Sequence, residues 1–289
     1  MLYLLLFIAI FSSAMLSIMS KIFSNVNEKS KNISPFYLMI VTFSALVSWG
    51  IVCIVSGEFT LRVIGFSLAY GVFYTLAMTG MFNAYKTGST SLTAFIKQLS
   101  LIGVAFWGFV FWDTPLEVNV LVGIALIVLA LYFCFKREKG EATPVVSFKW
   151  VMFSCMLLVG NMGSSIVQKY QQTTYGGSYG SAFMFFGVCM AFAVCLFSYL
   201  KGEKCSFKEI NKPSLLCPVV AGASSMLLNL FTLKLISSPM PESIIFPGIA
   251  VGGMILTIMF SAIFYREKLT PVRWAGLCIG TVALIFLNL

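Results

Sequence analysis

The chain has 289 residues, 59% of them hydrophobic and only 10% charged, with a mean hydropathy of +0.95. No soluble domain of this length can hide that much apolar surface, so lipid must cover much of it. The net charge of +9 sits in short loops between apolar runs, where it orients a membrane protein and is no nucleic-acid signature, and the lack of histidine excludes histidine proton relays and His-ligated metals.

Eight cysteines are scattered, mostly inside apolar runs and with no C-x-x-C pair, so they read as small hydrophobes rather than disulfides or ligands. The opening MLYLLLFIAIF has no basic n-region and no small-residue cleavage site before a soluble domain, and reads as the first membrane helix.

Taken in chain order, apolar runs of about 20 residues recur from end to end. The first predicted helix, 2–24, carries Ser13, Ser17, Ser20 and Ser24 at spacings of three and four, one polar stripe on an apolar rod. Such residues suit close helix packing in lipid or the lining of a wet cavity. Helices are predicted next at 35–56 and 63–86, the latter with Ser67, Gly71, Tyr74, Met78, Met81 and Tyr85 on one stripe. The fourth, 89–112, aligns Thr90, Thr93, Lys97 and Ser100. A charge at that depth costs on the order of 3 kcal/mol and faces a bundle interior or a cavity unless it snorkels or meets a structural carboxylate. The fifth is predicted at 116–135.

The longest polar interruption, Lys136 to Lys149, then divides five helices from five, as a hinge between halves would. The second half is predicted at 148–170, 178–200, 214–236, 243–264 and 271–288. Asn161, Ser165, Gln168 and Gln172 form a stripe on the sixth helix, and Ser225, Asn229 and Thr232 on the eighth. The amides are larger than serine and need partners, which a cavity with a ligand can supply. The ninth begins with three prolines in ten residues, Ser238 to Pro247 with Phe246 among them, and is expected to be kinked or discontinuous at a binding site. Glu242 there suits a helix N-terminus or a pairing with Lys234.

The halves repeat. Ser17, Ile18 and Lys21 match Ser165, Ile166 and Lys169 at one constant offset, and Phe111 to Glu117 parallels Phe264 to Thr270. Two matches in the same order about a central hinge argue for duplication. Because five is odd, the second copy enters the membrane upside down, giving an all-α integral membrane fold of ten transmembrane helices in two inverted five-helix repeats, residues 1–140 and 141–289. Fifteen of the 19 basic residues fall in loops on one side, against Arg62, Lys169 and Lys234 on the other, with Lys97 apart. The lysine-rich side is therefore expected in the cytoplasm of a cell membrane, with both termini outside.

At the last two helices the run Tyr265 to Gly280, YREKLTPVRWAGLCIG, resembles the E-K-L-T signature with spaced glycines of the drug/metabolite transporter superfamily, EamA-like group. Glu267, Lys268, Leu269, Thr270, Gly276 and Gly280 carry it, and Asp113, Thr114 and Gly123 form a reduced copy in the first half. Lys21 and Lys169 also look like the family pattern. Ser13-Ala14 and Asn161-Met162 stand where the family has Trp-Gly, and helix 89–112 lacks the family's central proline. The resemblance implies a cavity among the first, third, fourth, sixth, eighth and ninth helices, braced by the fifth and tenth.

The candidate substrate-binding residues are Lys97, Thr93, Ser100, Ser17, Tyr74, Asn161, Ser165, Gln168, Asn229, Thr232 and Phe246. No Asp or Glu falls in the middle of a predicted helix, which argues against an antiporter of cationic drugs. The one intramembrane charge is positive and favours a substrate with a carboxylate or phosphate. No P-loop, G-x-S-x-G, H-E-x-x-H or acidic metal cluster supports ATP-driven transport or enzyme chemistry, and no cofactor is expected. The reading is a secondary transporter of a small anionic or zwitterionic metabolite such as an amino acid, with export favoured and a coupling proton or ion compatible with it. A flippase for a lipid-linked intermediate, as in members of the superfamily, is the transport alternative. A membrane enzyme or sensor is the non-transport one. Single cysteines replacing Lys139 and Lys204 are expected to be labelled from the cytoplasm and a tag after Leu289 from outside; a cytoplasmic C-terminal tag overturns the topology.

Overall fold

The computed structural model describes residues 2–28, 30, 32–111, 118–135, 147–202, 210–236, 238–239, 242–264 and 270–286. The side chains of a few residues within these helices, Phe246 and Glu242 among them, lie outside the description, as do the hinge residues 136–146, the E-K-L of the signature, Asp113 and Thr114. Every regular element among the described residues is helical. That is the expected solution for a chain in lipid, where each backbone N–H must bond within its own segment.

The elements are α1 (Leu2–Val26), α2 (Ile33–Ser56), α3 (Ile64–Thr87), α4 (Thr90–Gln98), α5 (Ser100–Phe111), α6 (Val118–Phe135), α7 (Phe148–Tyr175), α8 (Gly180–Lys201), α9 (Leu216–Ile236) after a 3-10 turn at Lys212–Leu215, α10 (Glu242–Phe264) and α11 (Pro271–Phe286). Among the described residues α1, α2, α3, α7, α8 and the stretch Lys212–Leu235 are long and apolar enough to cross a membrane. Shorter apolar stretches lie in α6, α10 and α11. Large apolar side chains stand exposed on the outer faces, with Ile54 and Val55 each 82% exposed, so lipid and not water is their solvent. The chain is a multi-pass membrane protein.

Two expectations change. Helix 89–112 is not one rod: it breaks at Leu99, whose N–H bonds Ile96 O at 2.9 Å in a tight turn. Ser100 Oγ donates to Lys97 O at 2.9 Å across this turn. Conversely, α10 runs from Glu242 through Pro247 to Phe264 without interruption. Pro247 stands in its second turn, so the missing N–H costs an early bond and does not cut the rod. Capping explains several ends. Ser89 accepts from Leu92 N at the start of α4, Ser147 from Trp150 N at the start of α7, and Gly57 and Gly176 close α2 and α7 in the left-handed conformation.

At the centre α3 packs along α7, and α1 along α9. Further contacts join α3 to α8, α2 to α9, α2 to α8, α1 to α10, and α4 and α5 to α7. At the periphery α6 packs chiefly on α11, and α4 meets α10. The close approaches depend on glycine. A Cβ on Gly80 would strike the backbone of Leu157 and Phe153, and one on Gly160 would strike the backbone of Ala77. Each of α3 and α7 thus presents a glycine to the other's main chain. Gly71 meets Gly187 O between α3 and α8, and Gly222 meets Val41 O between α9 and α2.

Gly160→Ala is therefore expected to destabilise the bundle by about 1–3 kcal/mol, because backbone cannot give way as a side chain would. Gly65, whose added Cβ meets nothing within 4 Å, is the control, and Gly65→Ala should change stability by no more than about 0.5 kcal/mol. Thermal unfolding of the two purified variants checks this; equal melting temperatures would mean that the α3–α7 contact relaxes freely.

Candidate functional site

The stripes of α1, α3, α7 and α9 converge on one cavity of about 190 Å³, closed on another side by the α4–α5 break and α10. At about 30 Å³ per water it holds roughly six waters, the size of a small metabolite. α3 contributes Tyr70, Tyr74, Met78 and Met81; α7 contributes Asn161, Ser164, Ser165 and Gln168. Ser225, Asn229 and Thr232 face it from α9, and Ser13 and Leu16 from α1.

Among the described residues of the lining Lys97 is the one that carries a charge, and none is a carboxylate. Its side chain as a whole is half-buried, yet Nζ is withdrawn from solvent and hydrogen-bonds to no described residue. It has company there. Lys97, Gln98 and Ser100 all reach the cavity; Lys97 and Ser100 share a helical stripe, and Gln98 joins them from beside it. The side chains of Gln98, Asn161, Ser165 and Gln168 also hydrogen-bond to no described residue and line the same space. By contrast, the hydroxyls of Ser164 and Thr232 bond back to Gly160 O at 2.8 Å and Leu228 O at 2.7 Å. Asn229 Nδ2 donates to Ser225 O at 2.8 Å, leaving its carbonyl to the cavity, and Tyr74 Oη and Ser225 Oγ share a bond of 2.8 Å. The Tyr70 and Tyr74 rings stack, 5.7 Å apart and 20° from parallel.

Eight of the eleven candidate residues thus line the cavity: Lys97, Ser100, Tyr74, Asn161, Ser165, Gln168, Asn229 and Thr232. Ser17 and Thr93 are fully engaged elsewhere. Ser17 Oγ donates to Ser13 O at 3.3 Å, as in close helix packing. Thr93 Oγ1 donates to Ser89 O at 2.7 Å and accepts the indole N–H of the buried Trp150 at 2.9 Å. Phe246 lies in α10 with its side chain outside the described residues. Ser164 and Tyr70 were open to discovery, since each continues a stripe at a spacing of three or four. Gln98 was not, because it lies beside the stripe of Lys97 and Ser100 and not on it.

One end of the bundle is closed. From the cavity toward the lysine-rich ends, α4 is buried from Thr90 to Ile96. Phe23, Tyr37 and Phe82 are buried there, with the Tyr37 and Phe82 rings stacked at 4.3 Å. Lys21 Nζ donates to Tyr85 O at 2.7 Å and caps the C-terminal turn of α3. Asn27 joins α1 to the start of α9, donating to Ser214 Oγ at 2.9 Å and accepting from Asn211 N at 3.0 Å. Toward the other end, Gln168 and Thr232 of the lining are only half-buried.

The fold and cavity define a helical membrane protein with a central polar chamber. A "Putative sugar uptake protein" of Listeria monocytogenes is 24% identical to this chain, over 96% of the chain and 95% of that protein. A solved crystal structure shares the fold with a TM-score of 0.64 at 12% identity, covering 98% of this chain and 94% of the other. No family model matches.

The Thr93–Trp150 bond gives a structural test. Thr93→Val leaves the buried indole N–H without this acceptor and is expected to lower stability by about 1–3 kcal/mol, whereas Thr93→Ser keeps the oxygen and stays near wild type. Thermal unfolding of both variants decides it; equal losses would assign the effect to the methyl packing and not the hydrogen bond.

Proposed function

We propose that the chain is a secondary transporter of a small hydrophilic metabolite carrying a negative charge, working by alternating access of two inverted five-helix halves, residues 1–140 and 141–289. The observation that carries it is the polar cavity whose lysine ammonium finds no partner in the described protein. A buried cation without a counter-charge is costly, and an anionic substrate supplies what is missing.

The packing pattern supports the inverted repeat. Let α1 correspond to α7, α2 to α8, α3 to α9, α4 with α5 to α10, and α6 to α11. Exchanging the halves turns the α1–α9 contact into α7–α3, and α3–α8 into α9–α2. It turns α1–α10 into α7 with α4 and α5, and returns α2–α8, α4–α10 and α6–α11 to themselves. A two-fold axis relating the halves would produce this set, and with five spans in each half it would lie in the membrane plane; both halves contribute lining residues to the cavity. It is also the architecture that the resemblance to the EamA-like transporters implies. The closed lysine-rich end suits a state open toward the opposite, non-cytoplasmic side. The Listeria relative's name speaks for uptake, and direction in a secondary carrier follows the gradient. A volume of about 190 Å³ suits a small metabolite better than a lipid-linked intermediate. The described residues of the lining include no assembled nucleophile and base, which suits carriage.

The test is flux into proteoliposomes containing the purified chain, with a panel of labelled small carboxylates, sugars and amino acids. Saturable flux above protein-free liposomes is expected, and Asn161→Ala should lower the apparent affinity several-fold. No flux of any member in either direction would overturn transport.

A further inference from the structure

We infer that the ligand of this cavity is a small polyhydroxylated monoanion, a sugar acid, with its carboxylate on Lys97 and its hydroxyls on the surrounding amides; the inference deepens the transport reading and rests on it. Three features of the lining select this class. The single ammonium has no partner among the described residues, and no acid is among the described residues of the lining. One unopposed cation calls for one net negative charge. An amino acid would bring an ammonium of its own, for which the described lining holds no carboxylate. A phosphate or dicarboxylate would bring more charge than one lysine balances.

The second feature is the amides. Gln98, Asn161 and Gln168 present their side chains to the cavity without a described partner, and Asn229 keeps its carbonyl free. Each amide offers donors and an acceptor side by side. A hydroxyl is both donor and acceptor, so several hydroxyls on one ligand satisfy several amides, whereas a plain short-chain carboxylate would leave them unpaired at a cost. The third is the stacked pair Tyr70 and Tyr74, which lines the same cavity and gives it an aromatic wall that suits the C–H side of a sugar. Charge thus comes from α4, hydroxyl recognition from α7, α9 and the turn at Leu99, and an aromatic wall from α3.

The experiment measures binding of D-glucuronate, D-glucose, propionate and L-alanine to the purified full chain, by calorimetry and by the shift in apparent melting temperature. These probes separate charge from hydroxyls: glucose keeps the ring without the carboxylate, and propionate keeps the carboxylate without the ring. Glucuronate is expected to bind at least about tenfold more tightly than glucose, propionate or L-alanine. Lys97→Met should shrink the preference for glucuronate over glucose to within about twofold while the ligand-free protein melts no lower than wild type. Lys97→Gln, which keeps a polar head, should do the same and serves if the methionine variant fails to fold. Gln168→Ala should weaken glucuronate but leave propionate unchanged. Equal affinity for glucose and glucuronate, a preference that survives both Lys97 variants, tighter binding of L-alanine, or no response to any probe each overturns the sugar-acid assignment. Glucuronate binding without glucuronate flux in proteoliposomes overturns the transport reading alone. Flux of another solute that glucuronate neither binds against nor inhibits overturns the ligand class alone.

Discussion

The close contact between α3 and α7 is the constraint from which the rest of the interior follows. Lipid is as apolar as leucine, so nothing like the hydrophobic effect in water drives two helices together inside it. They associate by dispersion, which needs backbones within reach of each other. Gly80 and Gly160 supply that reach reciprocally, each lying against the partner's main chain. Ala77, against which Gly160 packs, also faces the cavity, and Asn161 follows Gly160 directly. The same contact that holds the helices therefore fixes where the polar wall begins. A larger residue at either glycine would move the wall as well as loosen the bundle.

The second determinant is the break at Leu99. A lysine in a straight apolar rod can reach toward the headgroups or turn inward, and a sequence pattern leaves both open. The structure turns it inward. Ser100 Oγ bonds Lys97 O across the turn at Leu99, and Lys97, Gln98 and Ser100 all meet the cavity. The polar residues that make this stretch costly in lipid are thus the ones that line the site.

Most of the helix positions were legible because each apolar run ends in residues that helices end on. Gly57 and Gly176 close α2 and α7, and Ser147 opens α7. The stripes on α3, α7 and α9 were legible for a related reason: in a membrane a large polar side chain is rare enough that its helical spacing points inward. Asn161, Gln168 and Asn229 illustrate this, for all three line the cavity. Small residues carry no such signal. Ser13 faces the cavity, while Ser17, Ser20 and Ser24, on the same stripe, bond to carbonyls of their own helix. Spacing cannot separate these roles, because a serine can satisfy itself locally. The irregularities carry a similar point. The prolines of α10 drew attention to a helix that runs without interruption from Glu242 to Phe264, whereas α4 and α5 are divided at Leu99 with no proline there. Residue type alone does not mark where a helix divides.

The closed end of the bundle adds a last consequence. Its seal combines a packed aromatic cluster, Phe23 with Tyr37 and Phe82, with hydrogen bonds that cross between elements, Lys21 to Tyr85 O and Asn27 to Asn211 and Ser214. The opposite end is tied differently. There Ser181 N and Oγ donate to the Glu58 carboxylate at the start of α8, and Tyr175 Oη donates to Arg62 O. The hydrogen bonds of both sets lie toward the helix ends, where water can replace those that become exposed. The glycine contacts between α3 and α7 lie at the level of the cavity, where no water would replace the lost packing. The cavity lies beside that central pair, between the two sets of end contacts, as a site reached from either side in the proposed cycle would have to.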